Sequence, residues 1–149
     1  MKVYVLHYAY YEESEVKGVY TEDAMKKELE MYAGWGRAHN EKAIAEQEHR
    51  IEELQKRRKA LGHEDRKIQE KQAELKFVKE KSEIQKEVEK TLRHNRKEID
   101  RQMAQLAMSI KNQEYGLEEM KSLTDNQLAE KEMQRSHLYF EEFYVLGME

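Results

Sequence analysis

Not one of the 149 residues is proline. Average usage of about 5% would place roughly seven in a chain of this length. Proline fixes φ and removes a backbone donor, so helix interiors exclude it. Between Gly36 and Gly116 the only glycine is Gly62. So long a stretch without helix breakers predicts elongated helix. Composition agrees: charged residues make up 39% and apolar residues 38%, against about 25% and 45–50% in ordinary globular domains. Mean hydropathy is −1.09. A dense single globule and a membrane protein are both disfavoured, since no stretch approaches the ~18 apolar residues of a spanning helix. The run Val3-Tyr4-Val5-Leu6 is broken by His7 and lacks a small-residue cleavage site, so it does not read as a signal peptide. The expected location is the cytoplasm of the producing cell or of an infected host. There is no cysteine, which removes disulfides, thiolate zinc sites and cysteine nucleophiles and leaves the redox compartment open.

The net charge of −4 hides a division. Residues 1–49 carry 6 basic and 10 acidic side chains, residues 50–101 carry 17 and 12, and residues 102–149 carry 4 and 9. A basic middle lies between acidic ends. Of 13 aromatic residues, 11 fall outside 36–135, leaving only Phe77 and Tyr115 in the middle. Aromatic side chains dominate core burial, so the two ends are expected to meet in one small core. The expected organisation is a head of residues 1–36 plus 137–149 and a helical coiled-coil arm of residues 37–136.

Val3 to Tyr11 is rich in β-branched and aromatic residues and predicts a strand. Glu12 to Glu15 reads as a polar connection and Val16 to Tyr20 as a second strand, giving a hairpin. Thr21 reads as an N-cap, with Glu22 and Asp23 at the positive end of a helix dipole. That helix places Ala24, Met25, Leu29, Met31 and Tyr32 on its apolar positions, and Gly34-Trp35-Gly36 is expected to end it. His137 to Leu146 predicts a third strand that would cover an edge of the hairpin.

The middle predicts helix almost throughout. Leu54, Leu61, Ile68 and Leu75 fall seven apart, while Arg58, Asp65 and Gln72 occupy the companion positions, a one-stripe heptad. Further on, Ile84, Asn95, Leu106 and Leu117, with Val88, Ile99 and Ile110, fall eleven apart, which predicts a nearly straight or slightly right-handed coil. Thr124-x-x-Gln127 has capping-box spacing and predicts a fresh helix to about Arg135. Three returns are open: a turn at Gly62 as a helix C′ residue, a turn near Arg93 to Arg96, or an uninterrupted helix over 64–115 whose last strand joins the hairpin of a second chain. An amphipathic helix cannot bury its stripe alone, so a hairpin, a dimer or both are expected. Leu54, Leu61, Ile68, Leu75, Ile84, Val88, Ile99, Leu106, Ile110 and Leu117 are the self-association candidates.

The segments Lys2-Val3-Tyr4-Val5-Leu6, Gly18-Val19-Tyr20-Thr21-Glu22 and Glu141-Glu142-Phe143-Tyr144-Val145-Leu146 resemble a family of small uncharacterised domains from phage and bacterial genomes. Those begin with a Lys-Val-Tyr strand, open a helix after a Gly-aliphatic-Tyr segment and close in an acidic-aromatic strand. The resemblance covers about 45 of the 149 residues. In this chain the closing strand comes about a hundred residues late. The resemblance implies a ββαβ-type module and a phage or mobile-element origin, and no activity.

His7, His39, His49, His63, His94 and His137 form no i+3 or i+4 pair and no H-E-x-x-H. His7 and His137 are the two that a folded sheet would bring near each other. Glu83 with Lys86 and Glu87 with Lys90 are ordinary helix pairs. There is no G-x-G-x-x-G, Walker loop or G-x-S-x-G elbow. The chain is therefore read as a non-enzyme without metal or cofactor. Lys56 to Lys59 with Arg66-Lys67, and Arg93 to Lys97, are basic clusters interleaved with acids. A solvated coiled-coil face explains them more simply than a phosphate-binding tip.

The expected protein is α+β and mostly helical: a small three-stranded antiparallel sheet with a helix, carrying a long helical hairpin or coiled-coil arm. Its expected function is non-enzymatic protein interaction, as a phage or mobile-element protein that inhibits or adapts a host complex, for example in defence. A protein partner and a homodimer are expected, with no membrane. Tyr8, Tyr10 and Trp35 in the head and Arg57, Arg58, Lys59, Arg93 and Arg96 in the arm are the partner-binding candidates, tyrosine because its ring is apolar and its tip polar. Trp35 is otherwise expected as a core anchor. The alternatives are a small-ligand binder such as a nucleotide sponge, and a coiled coil that binds nucleic acid.

Overall fold

The computed structural model describes residues 1–146. The protein is α+β and mostly helix. Its elements are β1 (Lys2–Tyr10), β2 (Glu13–Tyr20), α1 (Glu22–Lys76), α2 (Glu83–Lys121), α3 (Asp125–Arg135) and β3 (Leu138–Tyr144). The strands form one antiparallel sheet in the order β2-β1-β3. The chain divides into two compact units, Met1–Ala45 with Glu119–Glu149, and Glu46–Glu118. The first unit thus takes in 37–45 and 119–136, which composition assigned to the arm.

In the first unit, β1 and β2 meet through a two-residue turn at Tyr11 and Glu12, not the four-residue connection that polarity suggests. Tyr11 adopts φ 54°, and strand pairing resumes at once with Tyr10 opposite Glu13. A bulge after Leu6 shifts the β1–β2 register. β3 runs along the other edge of β1, from Lys2 opposite Tyr144 to Tyr8 opposite Leu138. Thr21 caps α1 as expected, its Oγ1 accepting from the Ala24 amide at 3.2 Å.

The helix does not stop at Gly34-Trp35-Gly36. It runs on to Lys76, because a glycine in a helix weakens it without breaking it. Gly36 serves a different purpose. A Cβ there would lie 2.6 Å from the Leu128 carbonyl oxygen of α3, so its absence lets two backbones approach. Around that crossing, Arg37 pairs with Asp125 at 2.9 Å, and His39 Nδ1 bonds the buried carboxylate of Glu132, which Arg135 also reaches at 3.1 Å. Thr124 forms a complete capping box with Gln127. At the far end of α3, His137 at φ 58° is the C′ residue, a place usually filled by glycine. Its amide donates to the Gln134 carbonyl and its carbonyl accepts from Ala9. His137 therefore closes the helix instead of starting the strand. The core is Leu6, Tyr32, Ala33, Ala129 and Met133, with Tyr20, Leu29, Leu138 and Phe140 packed on it.

In the second unit the return occurs at residues 77–82, at none of the three places expected. Gly62 is helical, Arg93 to Arg96 is helical, and no helix spans 64–115. Ser82 starts α2: its Oγ accepts from the Gln85 amide at 3.2 Å and its own amide donates to Gln85 Oε1 at 2.9 Å. That is a second capping box. β3 pairs with β1 of the same chain, not with the hairpin of a second copy.

The two helical segments of this unit run antiparallel. Gln47 donates to the Gln113 carbonyl at 3.0 Å, and Arg96 reaches Asp65 at 3.3 Å and Gln72 at 3.2 Å. The inward residues of α2 are Gln85, Glu89, Leu92, Arg96, Ile99, Met103, Leu106, Ile110, Gln113 and Leu117, none of them exposed. They alternate by four and three, a heptad and not an eleven-residue repeat. The eleven-residue pattern leads astray because it counts Ile84 and Val88, which are 78% and 42% exposed, and passes over Arg96, which faces inward.

Candidate protein-docking face

Alternation along β1 gives the sheet two unlike faces, since successive side chains point to opposite sides. Leu6 lies opposite Phe140, and Tyr8 opposite Leu138; these face α1 and α3. On the other side Val3 lies opposite Phe143, Val5 opposite Val19, and His7 opposite both Val16 and Tyr139. Among the described residues no element covers this second face. Val19 is 66% exposed, Val16 56% and Phe143 41%. Four side chains of this size on one open sheet face, Tyr139 included, exceed what scattered surface hydrophobics account for.

His7 and Glu141 share this face with the apolar residues. His7 stacks on Tyr139, ring centroids 4.9 Å apart, and its Nε2 lies 3.0 Å from Glu141 without the alignment of a hydrogen bond. On the opposite side of the sheet, in register with Tyr4 and Leu6, Lys2 pairs with Glu142 at 3.1 Å and lies over the Tyr144 ring. The Glu142 hydrogen bond, with Tyr144 beside it, raises the Lys2 pKa above its ordinary value. Counted over its whole sequence, the unit carries nine basic and fifteen acidic side chains, net −6.

The candidate residues named from sequence do not form one surface. Tyr8 is half-buried on the covered face, edge-on to His137 with Lys17 over its ring. His137 therefore meets Tyr8 and Tyr10, whereas His7 meets Tyr139. Tyr10 is exposed at the hairpin end beside Tyr11, and a hydrogen bond with Tyr11 raises its pKa. Trp35 is 52% exposed, edge-on to the buried Tyr32, so it is not a core anchor. It stands on α1, in the layer across the sheet from Val3 and Phe143. Burial raises the pKa of Tyr32 itself.

In the second unit Arg57, Arg58, Lys59 and Arg93 are exposed. Arg96 is bound to Asp65 and Gln72 inside the hairpin and is a structural residue. Leu54, Leu61, Ile68, Leu75, Ile99, Leu106, Ile110 and Leu117 are all at least half-buried against the opposite helix of the same chain. Their stripe is used within the hairpin, leaving only Ile84 and Val88 of that set exposed, with Phe77 at the turn. Sequence alone missed the face of Val3, Val5, Val19 and Phe143, although β1's alternation carries the signal. Among the described residues no three or more histidines or carboxylates are placed to hold a metal, and no helix is long and apolar enough to cross a membrane.

Compared with protein-family models, with curated proteins and with solved structures, the chain matches none.

Proposed function

We propose that the protein is a non-enzymatic interaction module whose partner docks on the open face of the sheet. The observation that supports this reading is the apolar face itself. In this unit one side of the sheet holds the core, while the other exposes Val16, Val19, Tyr139 and Phe143. The net charge of −6 on this unit favours a partner protein that presents an apolar patch rimmed by lysine or arginine, since complementary charge steers association and rejects other partners. The resemblance of the chain ends to phage and bacterial domains makes a host complex the proposed target, with inhibition or adaptation as the role and the cytoplasm as the place.

The test uses the full chain as bait in bacterial lysate, wild type beside Val19→Glu/Phe143→Glu. Both positions are exposed, so circular dichroism should be unchanged. A protein retained by the wild type and lost by the double variant supports docking on this face. Equal retention by both baits, or none by either, sinks it.

A second reading concerns self-association. Phe77, Ile84 and Val88 remain exposed in the second unit, and we propose this end as the contact in a homodimer. Light scattering that finds a dimer in the wild type and a monomer in Ile84→Glu/Val88→Glu supports it. A wild-type monomer ends it.

A further inference from the structure

Gly62 lies in the middle of α1, and packing offers no reason for it. It is helical, its φ lies outside the left-handed range, and nothing lies within 4 Å of where its Cβ would be. Glycine is a poor helix former, used where a backbone or ligand must come close. Here the glycine lines an open notch of about 510 Å³ on the second unit, within the size range of small-molecule sites. Arg58, Lys59 and Arg66 stand one turn to either side of the glycine and His63 directly after it, with Gln55 at one end and Met103 of α2 also lining the notch. Among the described residues no ion pair or hydrogen bond engages the side chain of Arg58, Lys59 or Arg66. Three uncompensated cations within two helical turns repel one another, and a bound anion would relieve that repulsion.

We propose that this notch binds the phosphate chain of a small polyphosphorylated ligand of nucleotide size. Two features favour a compact ligand over a nucleic acid. The basic stretch is short: at the same helical spacing it meets Glu52 on one side and Glu70 on the other. A duplex backbone needs a longer run of cations than one notch supplies. Arginine supplies forked donors suited to phosphate oxygens, and the lysine supplies a point charge. Met103 gives the notch an apolar element against which a base or other flat group could lie. The site lies in the second unit and is independent of the docking face on the sheet.

The experiment is calorimetric titration of the full-length protein with inorganic tripolyphosphate, with ATP and with a short DNA duplex, at low and at physiological ionic strength. The expected result is saturable one-to-one binding of tripolyphosphate and ATP that weakens with salt. Arg58→Gln/Arg66→Gln should weaken it by about tenfold or more. Gly62→Leu puts a better helix former there and projects its side chain into the notch, so it should block binding while thermal stability holds or rises. ATP binding more tightly than tripolyphosphate assigns the ligand to nucleotides, and equal binding assigns it to the phosphate chain alone. No saturable binding, wild-type binding by Gly62→Leu, or tighter binding of duplex that survives Gly62→Leu overturns the proposal.

Discussion

A methyl group added at Gly36 would lie 2.6 Å from the backbone carbonyl oxygen of Leu128, a contact that only displacement of α3 can relieve. Gly36→Ala is therefore expected to destabilise the first unit by about 1–3 kcal/mol, the usual cost of overpacking. Two residues earlier, a Cβ at Gly34 would meet only the end of Arg37 at 3.8 Å. Gly34→Ala should raise stability by up to ~1 kcal/mol through helix propensity. Urea unfolding of the two variants checks both signs. Ionisation gives a further residue-level expectation. A hydrogen bond from Arg101, with a second from Gln102, lowers the Glu98 pKa to about 2 from an ordinary 4.5. A group depressed on folding contributes fully above its unfolded value and loses that contribution as pH falls toward its folded one. The Glu98 contribution is thus complete above pH 4.5 and fades toward pH 2. Following the Glu98 carboxyl carbon by NMR should show the low midpoint, and Arg101→Gln should return it toward the ordinary value.

Among the elements, the helical hairpin has polar residues where a coiled coil usually has leucine. Asp65, Gln72 and Arg96 meet inside it. Such layers fix register at some expense of stability. Arg96→Ala alone should cost about 1 kcal/mol, because Asp65 keeps its partial burial and loses its cationic partner, retaining only the Gln69 amide. Replacing all three by leucine should raise the urea midpoint while broadening the amide NMR spectrum, as alternative registers become comparable in energy. The same chemistry explains what was legible in the sequence. Strands and caps could be read because they depend on neighbours: β-branched runs for β1 and Thr124-x-x-Gln127 for α3. The turn was equally local, written as Ser82-x-x-Gln85, but lay hidden among charges that read as continuous helix. The stripe of α2 is hard to read because its inward arginine, glutamines and glutamate follow a heptad, whereas the exposed Ile84, Val88 and Asn95 complete a false eleven-residue spacing. The role of Gly36 was not legible, since its neighbour Leu128 lies far along the chain and only folding brings them together. The open face was half-legible: alternation in β1 marks two faces, but which one the helices cover is decided by tertiary packing.

For the whole molecule, two units with separate interiors are built from one chain, and their charges differ in sign. The first carries net −6, while the second carries eighteen basic and sixteen acidic side chains, net +2. Any partner sensitive to charge will distinguish them. The sheet that closes the first unit pairs Lys2 with Tyr144, whereas the hairpin of the second joins segments separated only by residues 77–82. Local contacts form fast and distant ones slowly. On the ribosome this difference becomes an order of events. The hairpin can fold while translation continues. The β1–β2 ribbon leaves the exit tunnel first and must wait, one edge unpaired, until β3 has been made. The waiting edge is what a nascent-chain chaperone would hold, so a transcript cut short after α2 should give a product with a folded helical hairpin and an aggregation-prone amino-terminal ribbon.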